Sequence, residues 1–458
     1  MTGTATKRTA QTGTDAQAIA DRVVELVRSK APAAESEVTV RGGTDALTRF
    51  ANSFIHQNVS ESVSHVLLRV AVDGRTAATS LDGPTDDETL GRMIDGVLEA
   101  ARVRPEDPEW PGLAPRVEAP RVDHWDEATA AASPDERARR VRDFVDAAGG
   151  LETAGACSTA AEIVAFANSA GQRLSGRATV ADLDGIARTP TSDGSARMAS
   201  VRLDPIRGGV LGKQAAVKAR GAADPADLEP GRYEVVLEPY CVANIVQFLF
   251  VYGFNGRAVE EGRSFVKFGE TQLDESIDLR DDVTDPQQVG VPFDVEGTPR
   301  RRVDVVVHGV TKAVLHTRRT AARAGVESTG HALEGAEQWG ALPTNTVLAP
   351  GARPPEALIA GVKRGLLVTD LWYTRVLDPR TLVVTGLTRN GVWLIEDGRI
   401  VRPVKNLRFT QSFVEAVGPG AVRGIGSDTS LMTGGLGGAY VVPSLHLASW
   451  NFTGGAQG

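Results

Sequence analysis

Between residues 15 and 29 apolar side chains recur at Ile19, Val23, Leu26 and Val27, the spacing of one helical face. The pattern then switches. Residues 37–41 alternate apolar and polar as a half-buried strand does, and 66–72 and 76–79 flank Asp73-Gly74, a dipeptide suited to a tight hairpin turn. Thr85 and Glu88 stand at capping-box spacing before Leu90, Ile94, Val97 and Ala101, which predicts a second helix. The proline-rich stretch 105–120 reads as a surface loop, because Ser133-Pro134-Asp135-Glu136 opens a third helix that Gly149-Gly150 ends. Strands are predicted at 151–156, 162–167, 173–183 and 198–203, with a turn at 168–171.

Residues 221–231 combine Gly, Pro and Asp and read as a linker ahead of a strand at 233–237. Beyond it the texture changes to short apolar runs at 302–307, 366–370, 381–387, 392–396 and 399–403, with a second hairpin turn at Asp397-Gly398. Glycine-rich stretches at 433–438 and 454–455 flank an apolar strand at 439–444. The predicted class is α+β. A mixed α/β domain over 17–220, with helices packed on a sheet, is followed by the linker and by a β-rich domain over 232–458, barrel-like or a curved sheet. Residues 1–16, rich in Thr, Ala and Gly, are expected to be disordered.

Length agrees with this division, since 458 residues exceed what one ordinary core organises. Net charge is 50 − 58 = −8, which argues against a nucleic-acid surface. The basic runs at Arg137-Ala-Arg-Arg140 and Arg300-Arg-Arg302 are short enough to be a solvated helix face and the start of a strand. The two cysteines, Cys157 and Cys241, lack CxxC spacing and suit a reducing compartment rather than a disulfide framework. The N-terminal stretch has no apolar core of the kind a signal peptide carries, and no apolar run approaches the roughly 20 residues of a membrane helix. A soluble cytoplasmic protein is expected.

Four segments, in order along the chain, carry a resemblance to a known family. They are Thr48-Arg-Phe-Ala-Asn-Ser-Phe-Ile-His-Gln-Asn58, Thr317-Arg-Arg-Thr-Ala-Ala-Arg-Ala-Gly-Val-Glu-Ser-Thr-Gly-His331, Gly340-Ala-Leu-Pro-Thr-Asn-Thr-Val-Leu-Ala-Pro-Gly351 and Gly398-Arg-Ile-Val-Arg-Pro-Val-Lys405. Together they resemble the TldD/PmbA family, also called modulator of DNA gyrase. In that family the TldD-type subunit is a metallopeptidase with a His-Glu-x-x-x-His helix and a later Cys ligand, and the TldE (PmbA) type lacks them. Counted back from Gly262-Arg-Ser-Phe265, the zinc helix should fall at Gln247-Phe-Leu-Phe-Val-Tyr252, where no His, Glu or Cys stands. Zinc requires three or four converging N, S or O ligands, so that segment is expected to be an apolar core or interface helix.

The resemblance therefore implies a TldE-type subunit, not catalytic alone, that pairs with a TldD-type zinc peptidase. The chain itself would hold no cofactor, and unfolded or precursor peptides, including natural-product precursors and an antitoxin, would be the substrates. A peptide threaded as a strand is gripped by its main chain and so can vary in sequence. Thr329, Gly330, His331, Thr344 and Asn345 are the expected cleft residues. The alternative is a homodimeric peptide-binding or scaffold protein of the same fold, with no nucleic acid and no membrane as partner.

Other residues invite chemistry. His331 and Glu334 stand at i, i+3 but lie between Gly330 and Gly335, and no third ligand is near. His308 and His316 have no Asp or Glu at ligand spacing and read as core and surface histidines. Ser427, Asp428 and His446 are the types of a triad without the Gly-x-Ser-x-Gly elbow, and Gly418–Gly426 is a glycine-rich loop without the Lys-Ser/Thr of a phosphate loop. Cys241 reads as a small buried apolar residue rather than a nucleophile.

Overall fold

The computed structural model describes residues 13–434 and 438–455. The first part of the chain runs α1 (Gly13–Lys30), β1 (Glu35–Ala51), β2 (Phe54–Val72), β3 (Arg75–Asp82), α2 (Asp87–Val103), α3 (Glu127–Ala130), α4 (Pro134–Ala147), β4 (Glu152–Asn168), β5 (Arg173–Arg188), β6 (Asp193–Ser200) and α5 (Gly208–Gly221). The six strands form one antiparallel sheet in the order β3-β2-β1-β4-β5-β6. Strand alternation divides its faces. Ala165 and Ala167 of β4 join a core with Val23, Ile94 and Val97 of the helices, while Val164 and Phe166 turn to the other face and meet Val291 and Phe293. That opposite face is where the second half of the chain docks.

The second half runs β7 (Gly231–Leu237), α6 (Pro239–Phe248), a π-helical turn (Leu249–Gly253), α7 (Gly256–Glu260), β8 (Leu279–Asp281), β9 (Val303–Val307), β10 (Val310–Thr311), α8 (Arg318–Ala324), β11 (Asn345–Leu348), β12 (Arg364–Asp378), β13 (Val383–Glu396), β14 (Arg399–Pro403), β15 (Leu407–Ser412), β16 (Val422–Ile425), β17 (Ser430–Gly434), β18 (Gly438–Val442) and β19 (Leu445–Gly455). β12, β7, β19, β15 and β13 pair in that order, and β12 pairs again with β13, which closes a five-stranded barrel. The remaining sheet is β10-β9-β8-β11-β18-β17. The core between barrel, sheet and α6 is the largest of the molecule, with Trp450, Phe250, Phe254, Phe409 and Phe413 among its fully buried members.

The fold class is as the sequence predicts, and several boundaries differ. Residues 1–12 of the expected disordered N-terminus, and 435–437 of the glycine-rich stretch, lie outside the described residues; from Gly13 the chain is already helical. The cap of α2 is Asp86, whose carboxylate accepts from the Thr89 amide at 3.0 Å, so Thr85 precedes the cap. Ser133 and Glu136 do form the capping box of α4. The runs at 151–156 and 162–167 are one strand, β4, because the small residues between them pair on both sides, with β1 and with β5. Likewise 381–387 and 392–396 are one strand, β13, kinked at Asn390 and Gly391, both of positive φ.

Candidate functional site

Asp281, at the end of β8, is buried, and two segments converge on its carboxylate. Oδ2 accepts the amides of Thr344 (3.0 Å) and Asn345 (2.9 Å), and Oδ1 lies 2.9 Å from His331 Nε2. Burial works to raise the pKa of this carboxyl, but His331 and the two amides outweigh it and hold it below the ordinary value. The other ring nitrogen of His331 meets Thr329 Oγ1 at 2.9 Å. Gly330 fits between because its φ is +77° and a Cβ there would lie 2.7 Å from the Pro299 carbonyl.

The five residues expected in the cleft are thus brought together, but mostly beneath it. His331 is 0% exposed with both ring nitrogens engaged, so it is a strut rather than a lining residue. Thr344 does face a cavity of about 550 Å³ between the halves, walled also by Thr39, Val164, Val291 and Phe293, and its Oγ1 is buried without a hydrogen-bond partner. Thr329 borders a separate surface pocket beside α7 and α8.

The remaining temptations have other partners. Glu334 turns away from His331 to His65 Nε2, at 3.0 Å. His446 Nε2 is 2.7 Å from Glu234, and Asp428 accepts from Ser444 at 2.7 Å, so no triad assembles from Ser427, Asp428 and His446. In the glycine-rich loop the amides are spent: Gly420 N donates to Asp274 and Gly426 N to the Ser444 carbonyl. Cys241 is fully buried, its thiol donates to the Val368 carbonyl, and burial pushes its pKa up, away from a thiolate. His308 lies in an exposed turn, and burial lowers the pKa of half-buried His316.

A second cleft, of about 540 Å³, opens along one face of α6 and its π-helical turn, where Asn244, Gln247, Phe248 and Tyr252 line it. The spacing of these positions is helical. Phe250 points the other way, into the core, and Phe248 is partly buried with its ring 5.6 Å from those of both Tyr252 and Phe413. Opposite stand Trp372 and Tyr373 of β12, 46% and 61% exposed. Adjacent strand residues ordinarily face opposite ways, but Tyr373 has φ +54° and the pairing with β13 breaks between Trp372 and Arg375. The kink sets the two rings 5.5 Å apart on one side. A Trp-Tyr pair in a chain only 5% aromatic was the available signal for this cleft, and sequence reasoning passed over it.

Residues 230–454 match the PmbA/TldA metallopeptidase C-terminal domain. The C-terminal half of the chain belongs to the TldD/PmbA family. A metalloprotease of Methanothermobacter thermautotrophicus is 25% identical over 227 residues, 49% of this chain and 49% of that one, so the chain spans about half the length of such curated relatives. TldE of Thermococcus kodakarensis superposes with a TM-score of 0.86 at 18% identity, covering 95% of this chain and 100% of that one. A Thermotoga maritima protein described as a candidate modulator of a DNA gyrase gives 0.84 at 18% identity, over 95% and 99%. At such identity the likeness shows the fold.

A metallopeptidase domain implies a metal, and the donor chemistry here does not fit one. At 247–252, where the sequence resemblance would place the zinc helix, Leu249, Phe250 and Val251 are buried hydrocarbon, Gln247, Phe248 and Tyr252 line the cleft, and none offers an imidazole, thiolate or carboxylate. Among the described residues no group of three or more His, Cys, Asp or Glu could hold a metal ion. The family's Thr317–His331 segment acts instead as a clamp. Thr317 caps α8, Arg318 Nη2 donates to the carbonyl of Leu113 at 2.8 Å, and Arg319 pairs through both terminal nitrogens with Asp107, at 2.9 and 2.6 Å.

Proposed function

We propose that this chain is the non-catalytic, TldE-type subunit of a TldD/TldE-like heterodimeric zinc metallopeptidase complex, in which it positions unfolded or precursor peptides for a TldD-type partner that carries the zinc. One observation carries the reading. The face of α6 that would present metal ligands presents Asn244, Gln247, Phe248 and Tyr252 to a cleft, groups suited to contact a chain and unsuited to activate water. Thr344, on the wall of the cavity between the halves, is a second residue placed to meet a peptide. Both cysteines are free and buried, which suits a cytoplasmic setting, and no described helix is long and apolar enough to cross a membrane.

The test is reconstitution. Cleavage of an unfolded peptide is expected only when this chain is mixed with a TldD-type partner. It should vanish when the partner's zinc helix is altered and persist, slowed, with His331→Ala here, since a positioning residue lowers a rate without abolishing it. Elemental analysis of the isolated chain should find no stoichiometric zinc. Peptidase activity from this chain alone would overturn the proposal.

A further inference from the structure

The cleft along α6 carries a chemical preference of its own. Arg375, which lines it, lies with its guanidinium 4.5 Å from the centre of the Tyr373 ring, and Arg389 lies 4.4 Å from that of Trp372. Neither arginine has a carboxylate partner among the described residues. Asp370, which faces Arg389 across the β12–β13 pairing, is already held by Arg197 at 2.8 Å, by Ser195 and by Asn390. In a chain of net charge −8, two guanidinium groups parked on exposed aromatic faces beside a cleft form a local positive site. Among the described residues no acidic side chain lines that cleft.

Its walls supply the rest of a recognition surface. The rings of Phe248, Tyr252 and Trp372 offer an apolar bed. Two polar atoms at the cleft are buried without hydrogen-bond partners, Asn244 Oδ1, an acceptor, and Tyr440 Oη, which can donate; the whole Tyr440 residue is 3% exposed. A peptide unit presents one N–H and one C=O, which is the complement of that pair. Unpaired buried polar atoms are costly, so a ligand that satisfies them is favoured.

We infer that the α6 cleft binds an extended peptide segment in which acidic residues sit next to aromatic or large apolar ones. The carboxylates go to Arg375 and Arg389, the apolar side chain lies on Phe248, Tyr252 and Trp372, and the main chain meets Asn244 and Tyr440. This rests on the reading of the chain as a peptide-holding subunit and adds the class of peptide.

The experiment is calorimetric titration of the full-length chain with three blocked hexapeptides that alternate Phe with Glu, Gln or Lys. The Glu peptide is expected to bind about tenfold more tightly than the Gln peptide, the scale of a charge-assisted pair, with the Lys peptide weakest. The double variant Arg375→Gln, Arg389→Gln should erase the preference for Glu over Gln. Trp372→Ala should weaken all three peptides alike, with the melting temperature as the control for folding. Equal binding of the Glu and Lys peptides, or a preference for Glu that survives the double variant, overturns the inference, as does binding of none of them. Because cleavage by the reconstituted pair is scored separately, such a failure leaves the subunit reading standing. Loss of the requirement for this chain in cleavage would sink the subunit reading whatever the peptides do.

Discussion

Asp281 accepts from two backbone amides and faces His331 while almost wholly buried. Replacing it by Ala strands those partners together, and a loss of about 3–5 kcal/mol in unfolding free energy is expected in urea titrations. The pH dependence has a definite sign. Because the folded-state pKa of this carboxyl is held below the ordinary value, its contribution is complete above about pH 4 and is lost as the pH falls through the lowered value. Asp281→Asn should lack this acid-dependent component, seen by comparing urea midpoints at pH 7 and pH 3. The sequence showed His331, within a recognisable motif, but not the residue it serves. Asp281 sits in a three-residue strand and its partner lies 50 positions onward, a distance at which spacing carries no signal.

Among the elements, α6 with its π-helical turn best separates what pattern reveals from what it hides. An apolar run at 248–251 reads as buried throughout, yet the extra residue of the π turn helps to place Phe248 and Tyr252 at the cleft while Phe250 stays in the core. The two positions should therefore respond differently. Phe250→Asp buries an unpaired carboxylate and should cost several kcal/mol, enough to lower expression and melting temperature sharply. Phe248→Asp, at a partly buried site, should cost about 1–2 kcal/mol and act chiefly on peptide binding. Equal melting temperatures for the two variants would contradict this assignment of faces. Helices such as α1, α2 and α4 were legible because periodicity and caps are local, whereas β4 and β13 were each split in two by polar or glycine-containing intervals. Pairing on both flanks bridges those intervals, and pairing partners cannot be read from the strand itself.

Across the whole molecule, the family's Thr317–His331 segment ties the halves together. Arg318 and Arg319 grip the loop at residues 107–113, and Arg323 adds contacts to Glu109 and Glu260. The Arg319 hydrogen bonds draw the Asp107 carboxyl down to about 2. Its contribution is thus present above about pH 4 and lost as the pH falls through about 2. Arg319→Ala should accelerate amide hydrogen exchange across residues 105–113 at neutral pH while leaving exchange in the barrel strands unchanged. The division into an α/β half and a barrel half was legible because texture changes at the linker; the clamp was not, since its two sides lie some two hundred residues apart in the chain. The same remoteness governs how the barrel is made. Leu237 of β7 pairs with Leu445 of β19 on one side, and Val236 with Leu367 of β12 on the other. During synthesis β7 leaves the ribosome long before either neighbour exists, so the barrel cannot close until nearly the whole chain has emerged. In that interval Val235, Val236 and Leu237 form an apolar strand with both edges open, and a stalled or truncated chain lacking β19 would offer that strand to chaperones or to aggregation.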